Sequence, residues 1–251
     1  MERWIVDTLL VVLVAFVPSL VYLVWIRNTE KYSREPYGRI FKVFAYGAVV
    51  SVIVAIIFEL VFLAFFNRNI ERVYQVVGEN PNLSGLVLAC VIAPVVEEIS
   101  KALGVFRVRR FFDEIENGLV YGAAAGLGFA ATENLLYEGT AFVTDGTQVW
   151  ISVVVIRSLA SALLHATTSS VFGLGIAGKQ MNGTSWAPYY LAAVIMHGIF
   201  NFAASFGVLY SDSLGDLAYL LSLIVALTMA FSGIAWVRRR IKYLDTRHRR
   251  R

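Results

Sequence analysis

The sequence has little of what soluble enzymes rely on. A single cysteine, Cys90, stands among 251 residues, so no disulfide can form within the chain and no cysteine-based metal site has its spacing. Set in an apolar run, Cys90 reads as a small buried hydrophobe. Charged residues make up 16% of the chain, against about 25% in soluble domains. There is no His-Glu-x-x-His helix of the zinc proteases, no Gly-x-Ser-x-Gly elbow and no Gly-x-x-x-x-Gly-Lys phosphate loop. Heptads, low-complexity tracts and internal repeats are missing too. The net charge is +4, but the cations lie in short loops and at the C-terminus. That placement orients a membrane protein and argues against a nucleic-acid partner.

What the chain has in abundance is apolar sequence, at 58% hydrophobic residues and a mean hydropathy of +0.66. Stretches long enough to cross about 30 Å of hydrocarbon fall near residues 4–26, 40–66, 83–106, 115–137, 149–177, 187–208 and 214–237. They predict an all-α, polytopic transmembrane helix bundle of about seven spans, with no room for a soluble domain between them. The first stretch lacks a basic leader and a small-residue cleavage site, so it reads as a retained span. Turn residues Gly78, Asn80 and Pro81 mark the loop 67–82, and the loop Glu138–Gln148 is acidic. The whole chain, 1–251, reads as one membrane domain with its motifs at about 84–208 and a basic tail at 238–251. Seventeen Lys and Arg residues fall on one side of this arrangement and three on the other. The N-terminus is therefore expected outside and the C-terminus in the cytoplasm. Anionic lipids would suit the basic tail, at about 1 kcal/mol per charge.

Against this background the charged residues inside the spans stand out, because each costs roughly 2.5–3.5 kcal/mol at bilayer depth. Glu97, Glu98 and Lys101 lie together in Ala93–Lys101. On a helix, Lys101 is four residues from Glu97 and three from Glu98, so it can neutralise one carboxylate and leave the other as a base for water. Pro94 should loosen the helix just before the pair and free a backbone carbonyl. One span later Phe129 and Glu133 share a face, with Asn134 beside them. Glu133 suits a metal ligand or second base, and Asn134 a hydrogen-bond donor or a group that orients a ligand.

His165 sits in a polar stripe with Arg157, Ser161 and Ser169 at four-residue spacing, and His197 pairs with Asn201 in the same way. Two imidazoles beside two carboxylate clusters are suitable ligands for a divalent ion such as Zn²⁺. Glu98, Glu133, His165 and His197 form the expected ligand set. The same groups can also activate water without metal. Arg157 is expected to pair with a carboxylate or reach the interface, and Glu59 has no evident partner. Three functions remain open on these residues alone: an intramembrane endopeptidase, an ion-coupled transporter using them as a proton relay, and a scaffold whose polar cluster pins the bundle.

The segments Pro94–Lys101, Gly118–Gly122 through Gly128–Asn134, His165 with its small followers, and His197–Asn201 resemble, in order and spacing, the PrsW family of intramembrane proteases. These are distant relatives of the CAAX-prenyl endopeptidases within the CAAX protease and bacteriocin-processing (CPBP) superfamily. The resemblance implies a prokaryotic, multi-pass cell-membrane protease with Glu97, Glu98, Glu133, His165, His197 and Asn201 at its catalytic site. Lys101, Phe129 and Asn134 would support them. It also implies regulated proteolysis of single-span substrates such as anti-sigma factors, cut on the extracytoplasmic side. Asn117 departs from the pattern, which leads one to expect aspartate before Gly118.

Overall fold

A computed structural model describes residues 2–73 and 85–248. The turn residues Gly78, Asn80 and Pro81, and the last three arginines, lie outside them. All the regular structure among the described residues is helical. The helices are α1 (Glu2–Arg27), α2 (Tyr37–Tyr46), α3 (Val52–Val73), α4 (Ala93–Val108), α5 (Glu116–Thr144), α6 (Thr147–Ile156), α7 (Ala162–Asn182), α8 (Ala187–Leu214) and α9 (Asp216–His248). Among the described residues, five stretches are long and apolar enough to cross a membrane: Trp4–Arg27, Tyr37–Phe66, Thr147–Asn182, Ala187–Leu214 and Asp216–Arg247.

Three of the expected spans are interrupted by a π-helical turn, at Gly47–Ser51, Leu88–Ile92 and Arg157–Ser161. Such turns insert a residue without breaking the helix and often lie at functional sites. The turn at Leu88–Ile92 has an identifiable cause. In the π register the N–H of residue 94 would bond to the carbonyl of Ala89, and Pro94 has no N–H. Asn201 takes its place, donating from Nδ2 to Ala89 O at 2.8 Å.

The helix α5 is the axis of the bundle, with every residue from 116 to 131 buried. Its small side chains let other backbones reach it. Gly118, Gly122 and Gly126 lie against the carbonyls of Gly173, Ser169 and His165 on α7, where an added Cβ would come within 2.2 Å of each oxygen. The expected glycine ladder is thus a seam with α7, the helix that carries His165. On the opposite side Thr132 donates to Ala48 O at 2.7 Å, inside the first π turn.

Two expected boundaries move. The helix α5 continues through the acidic stretch to Thr144, and Gly146, at φ +81°, makes the turn into α6. The basic segment from 238 is not a free tail as far as His248, because α9 continues through it. Arg238 donates to Thr29 at 2.9 Å, and Asp245 accepts the backbone N–H groups of Lys31, Tyr32 and Ser33. In that loop the Glu30 carboxylate is fully buried and accepts the N–H of Glu35.

Two predictions follow from this packing. Gly122→Leu should destabilise the bundle by at least about 1–3 kcal/mol, because the obstructing atom is backbone, and the yield of monodisperse protein and its Tm would show it. Burial pushes the Glu30 carboxyl up to about 8. The folded chain therefore keeps a proton that the unfolded chain loses, and stability should fall as pH rises from 4.5 to about 8. In Glu30→Gln that decline in Tm should flatten.

Candidate active site

The helix α4 carries Glu97, Glu98 and Lys101 into the centre of the bundle, and all three are buried. The Lys101 ammonium has three protons and no acceptor capacity. It donates to Glu97 Oε2 at 3.0 Å, Glu98 Oε1 at 2.9 Å and His165 Nδ1 at 2.8 Å. It also lies 4.4 Å from the centre of the Phe129 ring, which explains the aromatic residue at that position. Because Nδ1 of His165 accepts from lysine, its other nitrogen carries the proton. That nitrogen, Nε2, lies 2.8 Å from Glu133 Oε2.

The two adjacent glutamates have different surroundings. Glu98 is fully enclosed, and Oε1 also accepts from Thr168 at 2.9 Å and His197 Nδ1 at 2.9 Å, while Oε2 accepts from Ser169 at 3.3 Å. Among the described residues, the one hydrogen bond to Glu97 comes from Lys101. Its side chain is 9% exposed against 0% for Glu98, and it lines a cavity of about 270 Å³ with Glu59, Glu133 and Asn201. Glu97 borders a cavity, and Glu98 is fully enclosed.

Glu133 comes from α5, 17 residues beyond Glu116. At 1.5 Å per residue that is about 25 Å along the helix. The π turn at Arg157–Ser161 brings Arg157 over it, with Nη2 3.0 Å from Glu133 Oε2, Nε donating to Asn134 Oδ1 at 2.8 Å and Nη2 to Ser161 at 3.3 Å. The guanidinium stacks on Tyr137 at 4.0 Å. Arg157 thus pairs with a carboxylate, one of the two roles expected for it, and the four-residue stripe persists through the π turn. A second cavity, of about 820 Å³, runs from Glu133, His165 and Asn201 towards Gly85, Val208 and Tyr219.

The structure therefore brings all the expected site residues together: Glu97, Glu98, Lys101, Phe129, Glu133, Asn134, His165, His197 and Asn201. Sequence reasoning missed three others. Thr168 bonds Glu98, Tyr137 stacks on Arg157, and Glu59 faces the same cavity as Glu97. The hydroxyl run Thr167–Ser170 was a visible signal for the first, and Tyr137, four residues beyond Glu133, for the second.

A match to the family described as "PrsW family intramembrane metalloprotease" covers residues 35–231. The chain belongs to the PrsW family. It is 28% identical over 202 residues to a protease PrsW of Clostridioides difficile (strain 630), covering 76% of this chain and 77% of that one. A protease PrsW of Geobacillus kaustophilus (strain HTA426) is 26% identical over 192 residues, covering 73% and 75%. No solved structure matches. The chain is accordingly an intramembrane protease and a multi-pass integral membrane protein, and the transporter and scaffold readings give way to a hydrolase.

The metalloprotease description invites a test of the donors. Glu97, His165 and His197 each offer a ligand atom within 4.8 Å of the others, and all three are buried. Donors bound about 2.0–2.2 Å from one zinc ion can lie at most roughly 4.4 Å apart, so the spacing needs a small contraction, and Lys101 would have to yield its bonds to Glu97 and His165. His197 is held at Nδ1 by Glu98, leaving Nε2 3.9 Å from Glu97 Oε2. A carboxylate behind a histidine in this way commonly orients a metal ligand. The residues fit a divalent ion in type and spacing. Glu98, expected among the ligands, stands behind His197, and Glu97 stands beside the two imidazoles.

Replacing Lys101 tests its role as the hub. Lys101→Met would leave two buried carboxylates without their cation, a change that costs about 3–5 kcal/mol. Thermal unfolding should show a loss of that order, and Phe129→Leu should cost less because the ion pairs remain.

Proposed function

We propose that Glu97 is the base that activates water for peptide-bond hydrolysis, and that the other polar residues hold it and its substrate in place. The observation that carries this reading is the unequal enclosure of the adjacent glutamates, since a base needs a free lone pair and a route for water. Glu97 takes a proton from water as the oxygen attacks the scissile carbonyl carbon. The carbonyl oxygen gains charge, and the second amide N–H of Asn201, whose first is spent on Ala89 O, is suited to stabilise it. The proton then passes to the leaving amine as the C–N bond breaks. Glu98 fixes the His197 ring, and Arg157 holds Glu133 against His165.

A divalent ion, zinc by donor type, would be held by Glu97, His165 and His197, with Glu133 beside His165. Such an ion polarises a carbonyl and lowers the pKa of bound water. It would compete with the Lys101 ammonium for the lone pairs on Glu97 and His165.

The substrate in this reading is a membrane-anchored protein with a single span, of the anti-sigma-factor kind. Seven spans, with the N-terminus outside, put the wide cavity near helix ends at Gly85, Tyr137, Val208 and Tyr219, on the side poor in Lys and Arg. Cleavage then falls in the extracytoplasmic half of the membrane. Residues 84–208 form the working core of a single domain, and the basic stretch 238–251 rests on anionic lipid.

A cleavage assay in liposomes with a panel of single-span substrates tests the assignment. Glu97→Gln should lower turnover about 10²–10⁴-fold with Tm unchanged, whereas Glu98→Gln should lower Tm as well. Chelator sensitivity together with bound zinc lost in His197→Ala would support the metal. If Glu97→Gln cuts as fast as the unaltered chain, Glu97 is not the base.

A further inference from the structure

A cavity of about 480 Å³ that shares no lining residue with the cleft opens between α2 and the end of α4. Four cations line it: Arg39 and Lys42 from α2, Arg107 from α4 and Arg110 from the turn that follows. Among the described residues, no carboxylate lines it. Arg39 has a distant ion pair with Glu35, at 3.8 Å. Among the described residues, Lys42, Arg107 and Arg110 have no ion pair. Four like charges converging on one hollow repel each other, and the remaining interactions do little to offset this. Aromatic rings support the guanidinium groups: Arg39 and Arg110 lie 4.4 and 4.8 Å from the ring of Phe111, and Arg107 lies 5.6 Å from that of Tyr46. Stacking of this kind holds the hydrogen-bonding fork open towards a ligand.

The other walls are apolar. Val43, Gly104 and Val108 are buried in the lining, and Phe111, which also lines it, is exposed. Arg39 and Lys42 fall in the first turns of a stretch, Tyr37–Phe66, that can cross the membrane. At 1.5 Å per residue they lie within about 8 Å of its end, where headgroups would be. A ligand that suits such a place carries a phosphate-like anion and an apolar body. Arginine clusters recognise phosphate through paired N–H donors, and basic hollows between membrane helices hold anionic headgroups.

We propose that this cavity binds the phosphodiester headgroup of an anionic phospholipid, held by Lys42, Arg107 and Arg110 with Arg39 at its edge. Among the described residues, none of the basic stretch from Arg238 to His248 lines the cavity. By bridging α2 and α4 the lipid braces the helix that carries Glu97, Glu98 and Lys101. The proposal needs the helices to cross a membrane and does not depend on which glutamate is the base.

The test uses the full chain in phosphatidylcholine nanodiscs containing increasing phosphatidylglycerol. Native mass spectrometry reads the retained lipid and thermal unfolding the stabilisation it gives. Neutralising Lys42, Arg107 or Arg110 to Gln should weaken phosphatidylglycerol binding about fivefold per cation. Because these charges also orient the protein, the pair Arg107→Lys with Arg110→Lys is the second variant. It keeps the charge and topology but loses the forks, and should also retain less lipid. The idea is overturned if that pair binds like the unaltered chain while Gln at Arg247, Arg249, Arg250 and Arg251 abolishes retention. It is equally overturned if millimolar inorganic phosphate displaces the lipid, which would make the ligand a free anion.

Discussion

The buried Lys101 ammonium is the interaction on which the rest depends. Two adjacent carboxylates at the centre of an apolar bundle repel each other and lack water, and only a cation with several donors can hold both. Lys101 does so and uses its third proton on His165. That last bond extends the network from α4 to α7, and through His165 Nε2 to Glu133 on α5. Glu98 extends it to α8 through His197. Four helices are thereby fixed by one connected set of polar contacts. A well-satisfied network in low dielectric makes such a centre rigid and specific.

The network needs backbones closer than ordinary side chains allow. Along α5 the glycines at 118, 122 and 126 bring α7 into contact with the helix axis, which puts Phe129 beside His165 at 5.7 Å between ring centres. On α8, Gly198 faces Cys90 O, where a Cβ would come within 2.3 Å, so the neighbouring His197 can reach Glu98. The π turns then adjust rotation. One frees a carbonyl for Asn201, and another aims Arg157 at Glu133. Small residues set the distances and inserted residues set the angles.

Much of this could be read in the sequence, and for a specific reason. A charge inside an apolar run is expensive, so Glu97, Glu98, Lys101, Glu133, His165 and His197 were conspicuous. So were the apolar stretches, five of which reappear as helices able to cross a membrane. Polarity misled where it did not end a helix. The acidic residues after Tyr137 and the arginines after Val237 read as loop and tail, yet the first stretch is helical as far as Thr144 and the second as far as His248, because helices tolerate charge where they leave the apolar layer. The unequal surroundings of Glu97 and Glu98 were illegible. The two differ by about 100° on the helix, and what each faces is decided by Thr168, Ser169 and His197, some 70 to 100 residues away.

The same asymmetry governs how a charged centre can remain reactive inside a membrane. A network satisfied at every oxygen would be stable and inert. Here saturation stops at Glu98, and the adjacent Glu97 keeps lone pairs beyond the one that accepts from Lys101. Glu97 faces a small cavity, and Glu133 and Asn201 line both that cavity and the wide one. Water that enters by this route meets one free carboxylate and one spare amide donor, while Lys101, Glu98 and His197 stay behind them as fixed charges and dipoles. In the proposed mechanism the buried half of the pair holds the geometry, so that the half facing the cavity can exchange a proton without loosening the helices around it.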